Sequence, residues 1–482
     1  MTSPNSIALP EIATGPFTQA PDSLRAFRCP EWFRDAKLGY WSHWGPQSVP
    51  MYGDWYARHL YVEGHDQYRH HLRVYGHPSK TGWKDIVPLW KAERFDPDAL
   101  MSLFVEAGGK YFVGQAMHHD NFDNFDSAHN RWNSVNMGPK KDIVGLWKAA
   151  AAKRGLPFGL TEHLGASFNW WAPNKGADKT GPYAGVPYDG NDPAARDFYY
   201  DNGGYGIDQT WYTPNEAFHQ HWFNRIKDVI DKYQPDLLYS DGGVPFEHWG
   251  RSIIAHLYNT SIALHGENRA VYNQKNTDPH VYTFGILDIE RGQRQDIAEH
   301  PWQTDTSVGD WFYNVRDTYK TPSHVTESLV DIVSKNGNLL LNIPQRPDGT
   351  LDDECTFLLR EIAKWIAVNG DGIYGTRPWT VSGEGPSTSP TGAFKEDAVA
   401  WTPEDFRFTS KANTVYAFEM RPPITETVVI RSLGSAKARR VAGVRVLGAG
   451  KAVYTQNADG LVVTMPQASL PVAPIGIAIT LE

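Results

Sequence analysis

Two cysteines in 482 residues, Cys29 and Cys355, leave no disulfide framework and no Cys-based zinc site to consider. Basic residues are in the minority: 46 Lys and Arg against 55 Asp and Glu give a formal charge of −9. That is the wrong sign for non-specific nucleic-acid binding, so no nucleic-acid partner is expected. No run is long and apolar enough to span a bilayer, and no membrane partner is expected. The opening residues, MTSPNSIALPEIATG, lack the positive and apolar regions of a signal peptide. The expectation is a cytoplasmic protein, or a periplasmic or secreted one if the start has been trimmed. No GxGxxG follows a strand-like run, which removes support for an NAD-binding fold. No GxSxG elbow follows one either, which removes a serine hydrolase. Solenoid-length repeats are absent, and nothing in the sequence sets an oligomeric state.

What is present begins with aromatic residues, 13% of the chain, including 18 Trp and 23 Tyr. Their flat faces suit sugar rings, although they also fill large cores. After a polar lead to about residue 30, short apolar or β-branched runs alternate with segments of helical spacing. Strands are expected at 38–42, 110–116, 157–161, 236–240, 270–273, 281–287 and 338–342. Between them, DIVGLWKAAAAKRG puts Ile143, Val144, Trp147 and Ala151 on one stripe. EAFHQHWFNRIKDVIDKY does the same with Phe218, Trp222, Ile226, Val229 and Ile230, and TFLLREIAKWIAVNGDG reads as a closing helix that stops at Gly370. Repeated β-then-α units predict an α/β fold with a (β/α)8-like barrel over residues 1–380. GEGPSTSPTG then reads as a linker. The runs TVYAFEM, ETVVIRSL, VAGVRVLG, GLVVTMP and IGIAITL beyond it predict a C-terminal antiparallel β-sandwich over 381–482. The Gly-, Pro-, Asp- and Asn-rich stretch from about 165 to 215 is expected to be a loop at the barrel mouth.

The residues that follow the strands carry the chemistry. Asp241 ends the run PDLLYS and is followed by Gly242 and Gly243, so a carboxylate sits where the chain turns off a rigid strand. Alone it reads as a turn cap. It is not alone. His43 follows LGYWS, His118, His119 and Asp120 follow KYFVGQAM, and Glu162 and His163 follow PFGLT; Gln274 and Lys275 follow AVYN, and Glu290 and Arg291 follow FGILDI. In a barrel all of these reach the C-terminal rim, where active sites lie. Carboxylates without reactive cysteines, among hydrogen-bonding His and stacking Trp, fit glycoside hydrolysis by paired acids. The rival is a metal-dependent barrel hydrolase, for which His118, His119, Asp120, Glu162, His163 and Asp241 offer nitrogen and oxygen ligands. Against it, no HxH or HExxH spacing among the strand-end residues aims two imidazoles at one ion, and the side chains of adjacent His118 and His119 diverge if their strand runs through them.

The same residues carry a family likeness. WFRDAKLGYWSHWGPQSVPMYGDWYARHLY, GGKYFVGQAMHHDNFDNFDS, WNSVNMGPKKDIVG, PDLLYSDGG and LLLNIPQRPDGTL occur in order from residue 32 to about 351. Together they resemble the signatures of the glycoside hydrolase family 29 α-L-fucosidases. The resemblance implies a retaining, exo-acting, metal-independent enzyme that needs no cofactor and takes a fucosylated oligosaccharide or glycoconjugate. It implies Asp241 as the nucleophile and, by order along the chain, Glu290 as the acid/base, with Asp288 and Glu267 in reserve. The competing reading of Glu290 is an ion pair with Arg291 or Arg294. It also implies sugar contacts from His43, Asp54, Trp55, His118 and His119. Tyr239 and Trp311 are candidates for the apolar side of the ring, and the rim residues Glu162, His163 and Lys275 complete the expected binding set. The chain departs from the pattern at Thr161-Glu162-His163, where a Tyr is common, and at Lys275, where an Arg is common. It departs again at Gln303, where PWE has Glu, and at Asn121, where HHDG has Gly. These departures bear on linkage and aglycone, and on a related sugar such as L-galactose.

Overall fold

Short strands, most of them returning through helical chain, curl until the first pairs with the last. In the computed structural model β1 (Leu38–Ser42), β2 (Tyr111–Met117), β3 (Phe158–Glu162) and β4 (Leu237–Ser240) are followed by β5 (Val271–Gln274), β6 (Ile286–Asp288), β7 (Trp302–Ser307) and β8 (Gly337–Asn342). Each strand pairs in parallel with the next, and Leu38↔Leu339 closes β1 on β8, so the eight form a closed barrel. The structure describes residues 11–204, 210–466 and 472–482. Much of the start read above for a leader (1–10) and part of the long loop (205–209) lie outside them. No helix among the described residues is long and apolar enough to cross a membrane.

The expected strands are there with two corrections. Residues 281–287 do not form one strand: Pro279–Tyr282 is a helical turn, and the strand starts at Ile286. Pro279 is pre-set for the first helical turn, and the Asp278 side chain caps it by accepting from the His280 N–H. The second correction is β7, which the apolar pattern did not reveal. It reads WQTDTS, and Gln303, Thr304, Asp305, Thr306 and Ser307 are all buried. Its interior is polar because it faces other polar groups, so no hydrophobic period marks it.

Helices cover the barrel as the periodicity requires. Ile143–Ala152 is capped by Asp142 and buries Ile143, Val144, Trp147 and Ala151. Glu216–Tyr233, capped by Asn215, buries Phe218, Trp222, Ile226, Val229 and Ile230, while Asp353–Asn369 stops at Gly370. At the strands' N-terminal end Gly39 permits a close approach: a Cβ there would lie 2.3 Å from Cζ of Tyr111. The Tyr111 hydroxyl in turn donates to Oε1 of Gln303 on β7 at 2.8 Å, tying the two strands together.

Beyond the barrel, β9 (Arg377–Glu384) and β10 (Phe406–Lys411) belong to a six-stranded antiparallel sheet, which shares an apolar core with a three-stranded one. The stretch read as a linker lies inside this unit. Gly383 and Glu384 finish β9, and the chain from 385 to 405 returns to the barrel before forming β10. There Gly392 bridges to Gln293.

The turn after β2 is pinned from the Glu216–Tyr233 helix. Arg225, fully buried, donates to Asp123 and to Asn121. Asn121 stands at φ 63°, a left-handed conformation that Gly adopts freely and Asn tolerates best among the other residues. Replacing Arg225 with Met strands the buried Asp123 carboxylate, at a cost of about 3–5 kcal/mol. Chemical denaturation is expected to show this as a lower midpoint; a wild-type midpoint would mean that the pair contributes nothing.

Candidate active site

The strand ends deliver their polar groups to one cavity at the C-terminal mouth of the barrel, about 570 Å3 in volume. The alternation of side chains along each strand decides which ones enter it. Asp241, just past β4, is fixed by its own N–H donating to the Glu162 carbonyl at 3.0 Å. Its carboxylate accepts from Lys275 Nζ at 2.7 Å and from the Tyr239 hydroxyl at 3.3 Å. His119 Nε2 lies 3.2 Å and His163 Nδ1 3.5 Å from its other oxygen. Burial opposes the charge of Asp241, but Lys275, His119 and His163 outweigh it and hold the carboxyl well below the usual range.

Glu290 lies two residues past β6, and its carboxylate meets the same Lys275 Nζ in a short contact. It pairs with neither adjacent arginine considered above; Arg291 instead donates to Glu396 at 2.7 Å. One ammonium thus sits within hydrogen-bond reach of both acids. Their nearest oxygens are therefore no more than two hydrogen-bond lengths apart, about 6 Å. Burial pushes Glu290 up to about 7; Lys275 pulls the other way, and the Asp305 and Asp241 carboxylates add to the rise. Burial would discharge Lys275, but Asp241, Asp305, Glu290 and Asp288 raise its pKa well above the ordinary value. Asp305 of β7 lies 3.9 Å from Lys275 Nζ and accepts from the Tyr239 hydroxyl at 3.0 Å.

Beside Asp241 is a cluster of imidazoles. His43 packs between His118 and His163, with ring centroids 4.9 and 5.0 Å away, and against Phe312 at 4.7 Å. Neither nitrogen of His43 nor Nε2 of His163 has a partner among the described residues, although all are buried. Burial, with neighbouring imidazoles, keeps His43 and His118 well below their usual pKa; His163 is also lowered by burial, against the pull of Asp241. Neutral rings each offer one donor and one acceptor. Such buried, unmet hydrogen-bonding capacity calls for a polar ligand. Asp54, raised by burial and by Asp310, faces the same cavity. Trp55 and Trp311 form walls, with the Arg291 guanidinium 4.8 Å over the Trp311 ring.

Of the residues expected from the sequence, His43, Asp54, Trp55, His118, His119, His163, Tyr239, Asp241, Lys275, Glu290 and Trp311 all line this cavity. Glu162 does not. It points outward from β3, where its Oε2 accepts from Trp222 Nε1 at 3.1 Å and from the Leu164 N–H at 3.0 Å. The alternation that sends His163 inward sends Glu162 out. The reserve acids are also elsewhere: Asp288 is buried and accepts from Gln303 Nε2 at 2.9 Å, and Glu267 is exposed beyond the end of the His248–His265 helix. His118 and His119 do not diverge. β2 ends at Met117, so both rings turn into the cavity, centroids 4.5 Å apart. With His163 they offer three ligand atoms within 4.8 Å of one another, a set that could hold a metal ion.

Trp41, His59, Trp211, Asp305 and Phe394 line the cavity without having been expected. Trp41 was within reach of the period-two rule, standing on β1 two residues before His43. Asp305 was hidden with β7. Trp211 and Phe394 come from irregular chain, where sequence carries no directional signal.

Residues 7–371 match the family model described as Alpha-L-fucosidase. The chain belongs to the α-L-fucosidase family. It is accordingly a glycoside hydrolase. It is 29% identical to the tissue α-L-fucosidase of Rattus norvegicus over 484 residues, covering 97% of this chain and 93% of the relative. The human tissue enzyme is 27% identical over 490 residues, covering 98% and 92%. The crystal structure of Thermotoga maritima α-fucosidase in complex with fucose superposes with a TM-score of 0.74 at 24% identity, over 96% of this chain and all of that one. That likeness establishes the shared fold of barrel plus C-terminal antiparallel sheets.

Lys275 lowers the pKa of both Asp241 and Glu290. In a Lys275→Met variant both carboxyls are therefore expected to titrate at higher pH, read from the 13C chemical shifts of their carboxyl carbons. Unmoved titrations would show that the ammonium does not control them.

Proposed function

We propose that this protein is a retaining, exo-acting α-L-fucosidase that removes terminal α-L-fucosyl groups from fucosylated glycans by double displacement. The observation that carries this is the division of labour between two acids around Lys275. Asp241 is held charged, while Glu290 is pushed up to about 7 and so can hold a proton near neutrality. Their bridging by one ammonium supports the closer carboxyl spacing of retaining enzymes, about 5–5.5 Å, over the roughly 6.5–9.5 Å that leaves room for an inverting water.

In the first step Asp241 attacks the anomeric carbon. The bond to the leaving oxygen breaks as Glu290 gives that oxygen its proton, and an ester joins fucose to Asp241. In the second step Glu290, now ionised, takes a proton from water as the water attacks the same carbon. The ester bond breaks and the Asp241 carboxylate is restored. Neutral His43, His118 and His163 suit vicinal hydroxyls, and the Trp311 and Trp41 rings, 5.2 Å apart, suit the methyl group of a 6-deoxy sugar. A filled barrel floor closes the cavity below, which supports binding at a chain end. An α-L-galactoside differs only by a hydroxyl at that apolar wall and is expected to be the poorer substrate.

The His118, His119 and His163 set favours a second reading, a metal-dependent hydrolase. Exhaustive chelation separates the two: the fucosidase reading expects unchanged turnover, and loss restored by zinc would favour the metal.

Changing Asp241 to Gly is expected to cut turnover of an aryl α-L-fucoside at least about a thousandfold. A 2-fluoro fucoside should label Asp241 of the wild type, as mapped by mass spectrometry; a label on another residue would end the assignment. With Glu290→Ala, azide should restore turnover of a substrate with a good leaving group and give the α-fucosyl azide. The pH dependence follows from the signs. Glu290 must be protonated, so kcat/KM for an unactivated glycan is expected to fall about tenfold per unit above pH ~7. Asp241 must be ionised and is charged well below the ordinary carboxylate range, so the acid limb lies at low pH. A profile still rising above pH 8 would exclude Glu290 as the acid.

A further inference from the structure

The mouth of the barrel is completed from outside the barrel. Between β9 and β10 the chain leaves the C-terminal sheet, and residues 392–396 run alongside the segment that follows Glu290. The N–H of Gly392 donates to the Gln293 carbonyl at 2.9 Å, that of Phe394 to the Glu290 carbonyl at 2.9 Å, and that of Lys395 to the Arg291 carbonyl at 2.8 Å. Gly292 makes room for this approach, since a Cβ there would lie 1.9 Å from the Gly392 carbonyl oxygen. Glu396 then secures the segment, accepting from Arg291 at 2.7 Å, from Lys320 at 2.9 Å and from the Thr306 hydroxyl.

The residue this anchoring holds out is Phe394. It stands at φ 57°, is 68% exposed, lines the cavity, and packs against no other ring among the described residues. A phenyl ring left in water forgoes the gain of burying its apolar surface. Here the ring is also held in a conformation that non-glycine residues rarely adopt, on a backbone bonded to the carbonyl of Glu290. On the nucleophile side Trp211, 40% exposed, lines the same cavity, with Nε1 3.5 Å from the Asp241 carbonyl.

We infer that Phe394 is a specificity-determining residue that stacks on the aglycone, the pyranose to which fucose is joined. The inference rests on the reading of Glu290 as acid/base: that carboxyl must face the leaving oxygen, so a ring fixed beside it flanks what leaves. The flat apolar face selects a sugar presenting a C–H face, and so a fucosylated oligosaccharide over a fucoside with a small leaving group.

The test compares kcat/KM for a fucosylated trisaccharide with that for α-L-fucosyl fluoride, whose leaving group is too small to reach Phe394. In Phe394→Ala the ratio of the two is expected to fall about three- to tenfold, mainly through KM, and in Phe394→Trp to be kept or raised. An unchanged ratio in Phe394→Ala, with both substrates turned over, overturns the inference and leaves the proposed function standing. A wild-type protein that hydrolyses neither substrate overturns both.

Discussion

One ammonium group holds this site together. Lys275 reaches Asp241 and Glu290 at once, with Asp305 beneath it. Four strands, β4 to β7, therefore meet at one Nζ. A point charge with three rotatable donors can serve two carboxylates that do not share a plane, which the rigid fork of an arginine would do less readily. The charge also explains how two buried acids in one cavity behave differently. Asp241 gains two imidazole contacts besides Lys275 and stays ionised. Glu290 has Lys275 alone against its burial and the field of Asp305 and Asp241, and it holds its proton into the neutral range.

Around that charge the protein leaves hydrogen-bonding capacity open. Among the described residues His43 has no partner at either ring nitrogen, and His163 has none at Nε2. Leaving such groups unmet in a core is costly, and barrels tolerate the cost at the rim that binds ligand. The supports behind them are hydrogen-bonded. Asn342 accepts from the His43 backbone at 2.9 Å, Gln47 holds His118 at 2.7 Å, and Arg225 ties down the turn after β2. The rings are held still so that their free atoms face the cavity. The C-terminal unit belongs to the same design, because its 385–405 excursion borders Glu290 and carries Glu396, a hub for Arg291, Lys320 and Thr306.

The sequence alone determined the β-then-α order and the polar rim that carries Asp241 and Glu290. Periodicity and strand-end position are local properties, written in residues a few places apart. Apolar runs marked seven strand positions, and stripes such as Phe218, Trp222, Ile226, Val229 and Ile230 marked the helical cover. Tertiary structure decided what depends on partners distant in the chain. β7 is polar because of what it faces. Glu162 turns outward to Trp222, a residue 60 positions away, and His118 and His119 converge because β2 stops one residue before them. Phe394 reaches the cavity only because a loop of another sheet is bonded back to Glu290. The pKa values of the two acids likewise came from burial and from one lysine, quantities fixed by the approach of side chains in space and by no spacing along the chain.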